Sequence, residues 1–419
     1  MQYKKLEGQS NYWKAAMLGT IFLFMFSSFN SAANLIGFLY KEANYDDLGV
    51  ISLFSLYAAF GISSLFAPNI SAMFNPKYVM FFSSFGYTLY MSCGIIVYQC
   101  KEHGTQDGVC SKGILYTIVN LCAVVNGICA STLWVSQPWY ITSISTNETR
   151  GKYFGIFWAL MQSSQIVGNV MGLVLVQLSP LLYFLVMTIV CGISGCCFLF
   201  LPSKFEKAQE VKSVKEKLRG ICIIISSRKM RPMLLYYYFA GTIVAFYTGF
   251  LYKLIAASQP EDQSQDETTK RQAYVFIMLG VFEFISGICS GYISDRVNRY
   301  MVATTSTIIV ELALIVSIIS YYTDSYTLCF ISGALWGTSD CLVSNMTMVI
   351  TTTLFPDQIE AFAIRAIMTS FATSVMLIFS ILIPNQIIYL LIVVLVELLT
   401  NISTSKLGII NEKPEEIKL

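Results

Sequence analysis

Charge is scarce in this chain: Asp, Glu, Lys and Arg make up 12% of its 419 residues, against 55% hydrophobic ones. A soluble domain carries about twice that fraction of charge, so a water-soluble fold of this composition would lack the polar surface it needs. The composition selects a polytopic membrane protein instead. Histidine is rarer still. The single one, His103, falls in a segment read below as an outward loop, which excludes a histidine proton relay buried in the membrane. The 12 cysteines lie mostly inside apolar runs and show no CxxC or Cys/His ligand spacing, which argues against a metal centre or redox chemistry. No ATP-binding glycine loop and no nucleophile triad stands out, so enzyme activity is the least supported class and no cofactor is expected. A net charge of +2 makes no case for nucleic acid.

What the chain does have is apolar length. Runs able to cross about 30 Å of hydrocarbon occupy 15–37, 49–71, 77–99, 113–141, 153–178 and 180–201, and then 232–256, 272–292, 300–321, 325–352, 361–382 and 384–401. The expectation is an all-α fold of twelve transmembrane helices in two six-helix halves, 1–201 and 232–401. A cytoplasmic linker, 202–231, separates them, and 402–419 forms a cytoplasmic tail. Placing both termini in the cytoplasm puts 20 of the 27 Lys and Arg residues on that side, the arrangement favoured by the positive-inside rule. The protein is then integral to a membrane, in contact with the lipid bilayer; plasma membrane and endomembrane both remain open. Within the linker, Val211, Val214, Leu218 and Ile221 recur at helical spacing among Lys212, Lys215, Lys217 and Arg219, which suits a basic amphipathic helix as well as a solvated connector. Cys100 and Cys110 share an outward loop, as a disulfide or as two free thiols.

The stretch from Asn126 to Gly172 is two apolar segments joined by a short loop bearing Glu148, Arg150 and Lys152. Its second segment places Trp158, Gln162, Gln165, Asn169 and Gly172 at spacings of 4, 3, 4 and 3, one face of a helix. An amide stripe on an otherwise apolar helix belongs against other helices or a cavity. Gln162, Gln165 and Asn169 are therefore expected to face other helices or a cavity; a resemblance to folds of two moving halves would imply that they hold the moving interface between them. An internal repeat also emerges: Gly37-Phe38-Leu39-Tyr40-Lys41 recurs as Gly249-Phe250-Leu251-Tyr252-Lys253, and the same offset of 212 maps Glu148 onto Glu360. Two coincidences in topologically equivalent places point to halves in parallel repeat.

Gly291-Tyr-Ile-Ser-Asp295-Arg296-Val-Asn-Arg299 resembles the loop motif of the major facilitator superfamily. A carboxylate at a span end set against arginines can latch two halves in one state and release them in another. The latch set is Asp295, Arg296, Arg299, Glu148, Arg150 and Glu360. The equivalent first-half loop, Ala67-Pro68 through Asn75-Pro76-Lys77, lacks the Asp and Arg, so the latch is one-sided. Leu133-Trp134 through Gln137, Thr149-Arg150-Gly151-Lys152, Phe154-Gly155-Ile156-Phe157-Trp158, Gln162-Ser163-Ser164-Gln165 and Gly168-Asn169 resemble the signature of the UNC-type ("uncoordinated") ion-channel-regulatory family, an atypical branch of that superfamily. In look the chain is nearest to the family's orphan solute-carrier-like members. Around Gly337-Thr338-Ser339-Asp340 its polar pattern departs from theirs.

The resemblance implies a major facilitator fold in which spans 1, 4, 7 and 10 line a central cavity. Their polar residues are Asn30, Asn34, Asn126, Gln137, Thr242, Tyr247, Lys253, Trp336, Asp340 and Asn345. Such groups suit a small neutral or zwitterionic solute, and equally suit hydrogen bonds that merely join helices. Charges inside spans are costlier and so more telling. Asp340, roughly 21 Å along its helix at about 1.5 Å per residue, is near the midplane, and Glu283 lies at similar depth. These two are the candidate coupling carboxylates; Glu311 reads as structural. Two functions remain: a secondary transporter of an unidentified small solute by alternating access, or a non-transporting regulatory or trafficking subunit of a partner membrane protein, a channel such as a potassium channel, or a receptor.

Overall fold

The structure, a computed structural model, describes residues 11–104, 107–203, 214–259, 265–356, 358–383 and 385–410. Among the described residues there are helices and connecting turns and no strand. In chain order the helices are α1 (Tyr12–Glu42), α2 (Leu48–Ser63), α3 (Ala67–Met73), α4 (Pro76–His103), α5 (Lys112–Ile144), α6 (Arg150–Leu178), α7 (Pro180–Cys197), α8 (Val214–Ser226), α9 (Arg231–Phe246), α10 (Tyr252–Ala257), α11 (Gln265–Ser294), α12 (Arg299–Thr323), α13 (Tyr326–Leu354), α14 (Ile359–Leu382) and α15 (Gln386–Ile410).

Among the described residues ten helices are long and apolar enough to cross a membrane, and eleven if α2 and α3 count as one bent span. Two departures separate this from the twelve expected. The run 49–71 is not one helix: α2 and α3 meet at 65°, because Pro68 has no N–H to continue a helix and is tolerated only in a first turn, where α3 places it. The run 325–352 does form a helix, α13, but Ser332, Ser339, Asp340, Ser344, Asn345, Thr347, Thr351 and Thr352 leave it too polar to meet that standard. Packing shields them: all eight are buried, and α13 sits against α11 and α12. Large apolar side chains such as Phe82, Leu121, Ile193, Ile288 and Leu395 are exposed instead, as in a protein whose surrounding solvent is lipid.

Helices α1–α7 pack among themselves, as do α9–α15, and the two bundles join along α6–α11 and α2–α14. The α6–α11 crossing is the closer. A Cβ on Gly155 would lie 2.5 Å from Gly291 Cα, and one on Gly287 would lie 2.8 Å from Ala159 Cα, so backbone meets backbone with no side chain between. Between α9 and α10 the chain widens into a π-turn, Tyr247–Leu251. That local unwinding shifts the helix register where Tyr247 projects inward.

Cys100 and Cys110 are disulfide-bonded, with Cα atoms 5.3 Å apart. They close the connection from α4 to α5 beside the ion pairs Lys101–Glu42 (2.7 Å) and Lys112–Asp46 (3.0 Å). In the linker, α8 carries Val214, Leu218 and Ile221, while Val211 and Lys212 lie outside the described residues. This helix is docked: Lys217 is buried and its Nζ donates to Pro68 O at 2.8 Å, and Ile221 is buried.

The backbone contact makes the crossing intolerant of bulk. Gly155→Val should cost about 1–3 kcal/mol of stability through overpacking, seen as a lower midpoint of thermal unfolding in detergent. Gly113→Val, with no atom within 4 Å of its added Cβ, should leave the midpoint within about 1 °C.

Candidate functional site

The two bundles enclose a cavity of ≈ 100 Å³. On the α1–α6 side its wall is mainly aromatic, with Phe29 from α1, Tyr57 from α2, Tyr87 from α4, Trp134 from α5 and Trp158 from α6. The two tryptophans stack with ring centroids 5.8 Å apart, and Trp134 Nε1 donates to the Tyr87 hydroxyl at 3.0 Å. Asn30 and Gln162 are the polar residues on that side; Asp340 and Ser344 of α13 and Arg365 of α14 face them.

Asp340 is the hub of the polar side. Gln162 Nε2, on α6, donates to Asp340 Oδ2 at 2.7 Å and to Glu283 Oε1 of α11 at 3.3 Å. The Tyr247 hydroxyl and Ser344 Oγ lie at the outer limit of hydrogen bonding to Asp340, both at 3.5 Å. The one Gln162 amide thus bridges the Asp340 and Glu283 carboxyls, both of them buried. Arg365, buried, directs its Nε to Thr347 Oγ1 at 3.0 Å and holds its guanidinium 6.0 Å from the Trp158 ring centroid. A guanidinium and two carboxyls are thus buried in one region, and groups of opposite sign offset part of one another's cost in a medium of low dielectric.

Of the residues read from the sequence as cavity-lining, Asn30, Tyr247 and Asp340 line it. The others lie outside its lining. Asn34 donates to Gln165 Oε1 at 2.8 Å, Asn345 to Ser290 Oγ at 2.7 Å, and Thr242 to Tyr238 O within its own helix at 3.2 Å. Trp336 stacks on Phe246 at 4.1 Å and donates to Ser317 Oγ at 3.1 Å. Asn126 is buried where α5 crosses Gly86 of α4, Gln137 is buried within α5, and Lys253 donates to Ser380 O. The amide stripe divides likewise. Gln162 crosses to α11 and α13, whereas Asn169 turns back on Gln165, whose amide bonds to α1 and α6 while its Cβ packs against Gly280 of α11. The sequence reading did not include Arg365 in the site, although a cation inside a span is a signal in its own right. Trp158 is marked by its place on the Gln162 face, but Tyr57 and Trp134 give no positional signal of lining a cavity, because aromatics are common throughout the spans.

At one end of the bundles α6 begins against α11. Asp295 accepts from the backbone N–H groups of Gly151 (3.0 Å) and Lys152 (2.7 Å), filling the electropositive start of α6 with a carboxylate. Burial raises the Asp295 pKa above its usual value, and those two N–H groups, Arg299 and Arg296 offset this only in part. Arg299 lies 3.7 Å from Asp295 Oδ1 and donates to Asn147 O and to Thr353 Oγ1, each at 2.7 Å. Arg150 Nη1 donates to Thr352 O at 2.9 Å. Asp295, Arg299 and Arg150 thus come together across the two bundles. The other three expected latch residues make other contacts, although Arg296 and Glu148 line one cleft with Asp295. Arg296 lies over the Tyr292 ring at 3.4 Å, Glu148 is exposed beside Lys152, and Glu360 is covered by Gly220 of α8.

A family model described as "Ion channel regulatory protein UNC-93" matches residues 44–404. UNC93-like protein MFSD11 of Xenopus tropicalis is 33% identical over 156 residues, 36% of this chain and 31% of that protein. UNC93-like protein 3 of Arabidopsis thaliana is 27% identical over 38% of this chain and 32% of its own length, and human protein unc-93 homolog A 27% over 35% and 30%. The matched stretches thus span about a third of these relatives. Among solved structures, a bacterial homologue of the iron transporter ferroportin in an outward-facing state superposes with a TM-score of 0.70 at 13% identity, covering 94% of this chain and 99% of that one. At that identity the likeness concerns the fold, which is of major facilitator type.

Asp295→Ala removes the acceptor shared by two N–H donors and Arg299. In a chain lacking other reactive thiols, a cysteine at Ser344 should then react with a maleimide applied from the Asp295 side roughly tenfold faster. Arg296→Gln should leave that rate unchanged, since Arg296 stacks on Tyr292 rather than bridging the bundles.

Proposed function

The chain belongs to the UNC-93 family of ion channel regulatory proteins, and from that premise we propose that it is a membrane carrier that moves a small polar solute by alternating access. In this reading α1–α7 and α9–α15 are two six-helix halves, with α13 as a twelfth span kept in the membrane by burial of its polar face. The basic excess places the Asp295 end and both termini in the cytoplasm. The observation that carries the reading is the cavity itself: it lies between the two bundles and reaches buried Asp340 and Arg365, with Glu283 joined to Asp340 through Gln162. Fixed charges at that depth are expensive and are kept where something is bound or moved.

Hydrogen bonds at the Asp295 end close the cytoplasmic side, so the conformation is outward-facing or occluded. The solute is small, because ≈ 100 Å³ holds a few waters or an ion and falls below the few hundred Å³ typical of larger ligands. A carboxyl pair facing a guanidinium suits a zwitterion, with its amine at Asp340 and its acid group at Arg365. The donor set does not favour a transition metal, since among the described residues no group of three His, Cys, Asp or Glu converges. A second reading, regulation of a partner channel, draws on the family's description and on the mainly aromatic wall of one side of the cavity, which leaves a narrow path.

Purified protein in liposomes should accumulate a solute saturably when small zwitterions are screened. Asp340→Asn should lower uptake efficiency about a hundredfold by unpairing the buried cluster, with the fold intact by circular dichroism. Absence of flux for wild type across the screen, together with a stable co-purifying channel subunit, would favour the second reading.

A further inference from the structure

Beside the Asp295 lock, on the outer face of the α6–α11 crossing, lies a cleft of ≈ 510 Å³ that the carrier reading does not use. Its floor is Gly155 and Gly291, and its walls are Ile156 and Ile288. Ile288 is 54% exposed, and Ile285 and Ile293 of the same helix are exposed beside it, so the floor continues into the lipid-facing surface. The rim carries charge: Lys152, Arg296 and Glu148 are exposed and Asp295, half-buried, lines the cleft with them.

The charges do not cancel. Asp295 is already engaged by two backbone N–H groups and Arg299, which leaves Glu148 as the one lining carboxylate against two exposed cations. Both cations are held at the level of exposed aromatic rings. Lys152 Nζ lies 6.0 Å from the centroid of Tyr12 and the Arg296 guanidinium 3.4 Å from that of Tyr292, rings 50% and 60% exposed. Amphipathic rings at a span end mark the headgroup level of a bilayer.

The geometry points to a binding site for an anionic phospholipid in this cleft, with its phosphate between Lys152 and Arg296 and one acyl chain along Ile156 and Ile288. A net-positive rim favours an anionic headgroup over a zwitterionic one, whose ammonium would meet Lys152 and Arg296 unfavourably. The apolar floor favours a lipid over free phosphate. The inference stands independently of whether the chain transports anything.

The test is lipid retention by native mass spectrometry of protein purified from vesicles of phosphatidylcholine doped with phosphatidylglycerol, and the thermal midpoint in the same vesicles. Wild type should retain phosphatidylglycerol selectively and be stabilised by it. Lys152→Gln with Arg296→Gln should weaken retention on the order of tenfold or more, while the pair Lys152→Arg with Arg296→Lys retains it, which separates charge loss from misfolding. Glu148→Gln should strengthen retention. Equal retention of phosphatidylcholine and phosphatidylglycerol by wild type overturns the site, as does retention unaltered in the double Gln variant. Stabilisation by inorganic phosphate or glycerophosphate equal to that by the lipid overturns the assignment to a lipid.

Discussion

The tightest contact that joins one bundle to the other is the crossing of α6 and α11, where backbone meets backbone with no side chain between. Gly155 faces Gly291 and Ala159 faces Gly287 at distances that exclude a further Cβ. In a membrane, where lipid tails are as apolar as leucine, such contact is the main source of helix association. It also sets the reach of the polar groups. Only because the two backbones touch does Gln162 of α6 come within 2.7 Å of Asp340 and 3.3 Å of Glu283, and only because of it does the start of α6 meet Asp295.

That proximity gathers three costly groups into one region. Alone, Asp340, Glu283 or Arg365 would carry a desolvation cost of several kcal/mol; side by side, the guanidinium and the carboxyls offset part of it. The cavity is chemically asymmetric as a result. One wall is largely aromatic and offers stacking and cation–π surface; the other offers fixed charge. A cavity with this division discriminates by charge placement more than by shape, and its small volume limits it further. In the proposed carrier its nearness to the interface between the bundles links occupancy to conformation, since a group bound at Asp340 would compete with Gln162, the side chain that connects the bundles there.

The repeat seen in the sequence has diverged in its environment. Gly37 sits in a regular α-helix, whereas Gly249 sits in the π-turn that lets Tyr247 reach the cavity; the residue 212 positions before Tyr247 is Leu35, part of the core. Glu148 is exposed on a cleft, while Glu360 is buried under α8, which covers only one of the two equivalent loops. The lock is one-sided for a related reason: Asp295 meets the start of α6, and the loop through Pro68 instead receives Lys217 from the linker. Repeats preserve the backbone plan, and each copy is then fitted to different neighbours.

Length, apolar runs and the distribution of Lys and Arg were legible by themselves, since the bilayer imposes one requirement on every span regardless of its neighbours. For the same reason Asp340 and Glu283 stood out as costly charges, and Gln162 as part of a stripe. Other features needed the tertiary structure. An amide in a span carries no mark of whether it faces a cavity or another helix, so Asn34, Asn126, Gln137 and Asn345 read the same as Asn30 until packing separated them. The break at Pro68 and the burial of polar α13 depended on which helices surround them. Arg365 joins the site only because α14 turns it toward Asp340, and the lipid cleft exists only because two glycines let α6 and α11 meet. Partition into a membrane is a sum over residues, which a sequence contains; which polar group faces which is a property of pairs, and pairs are formed by folding.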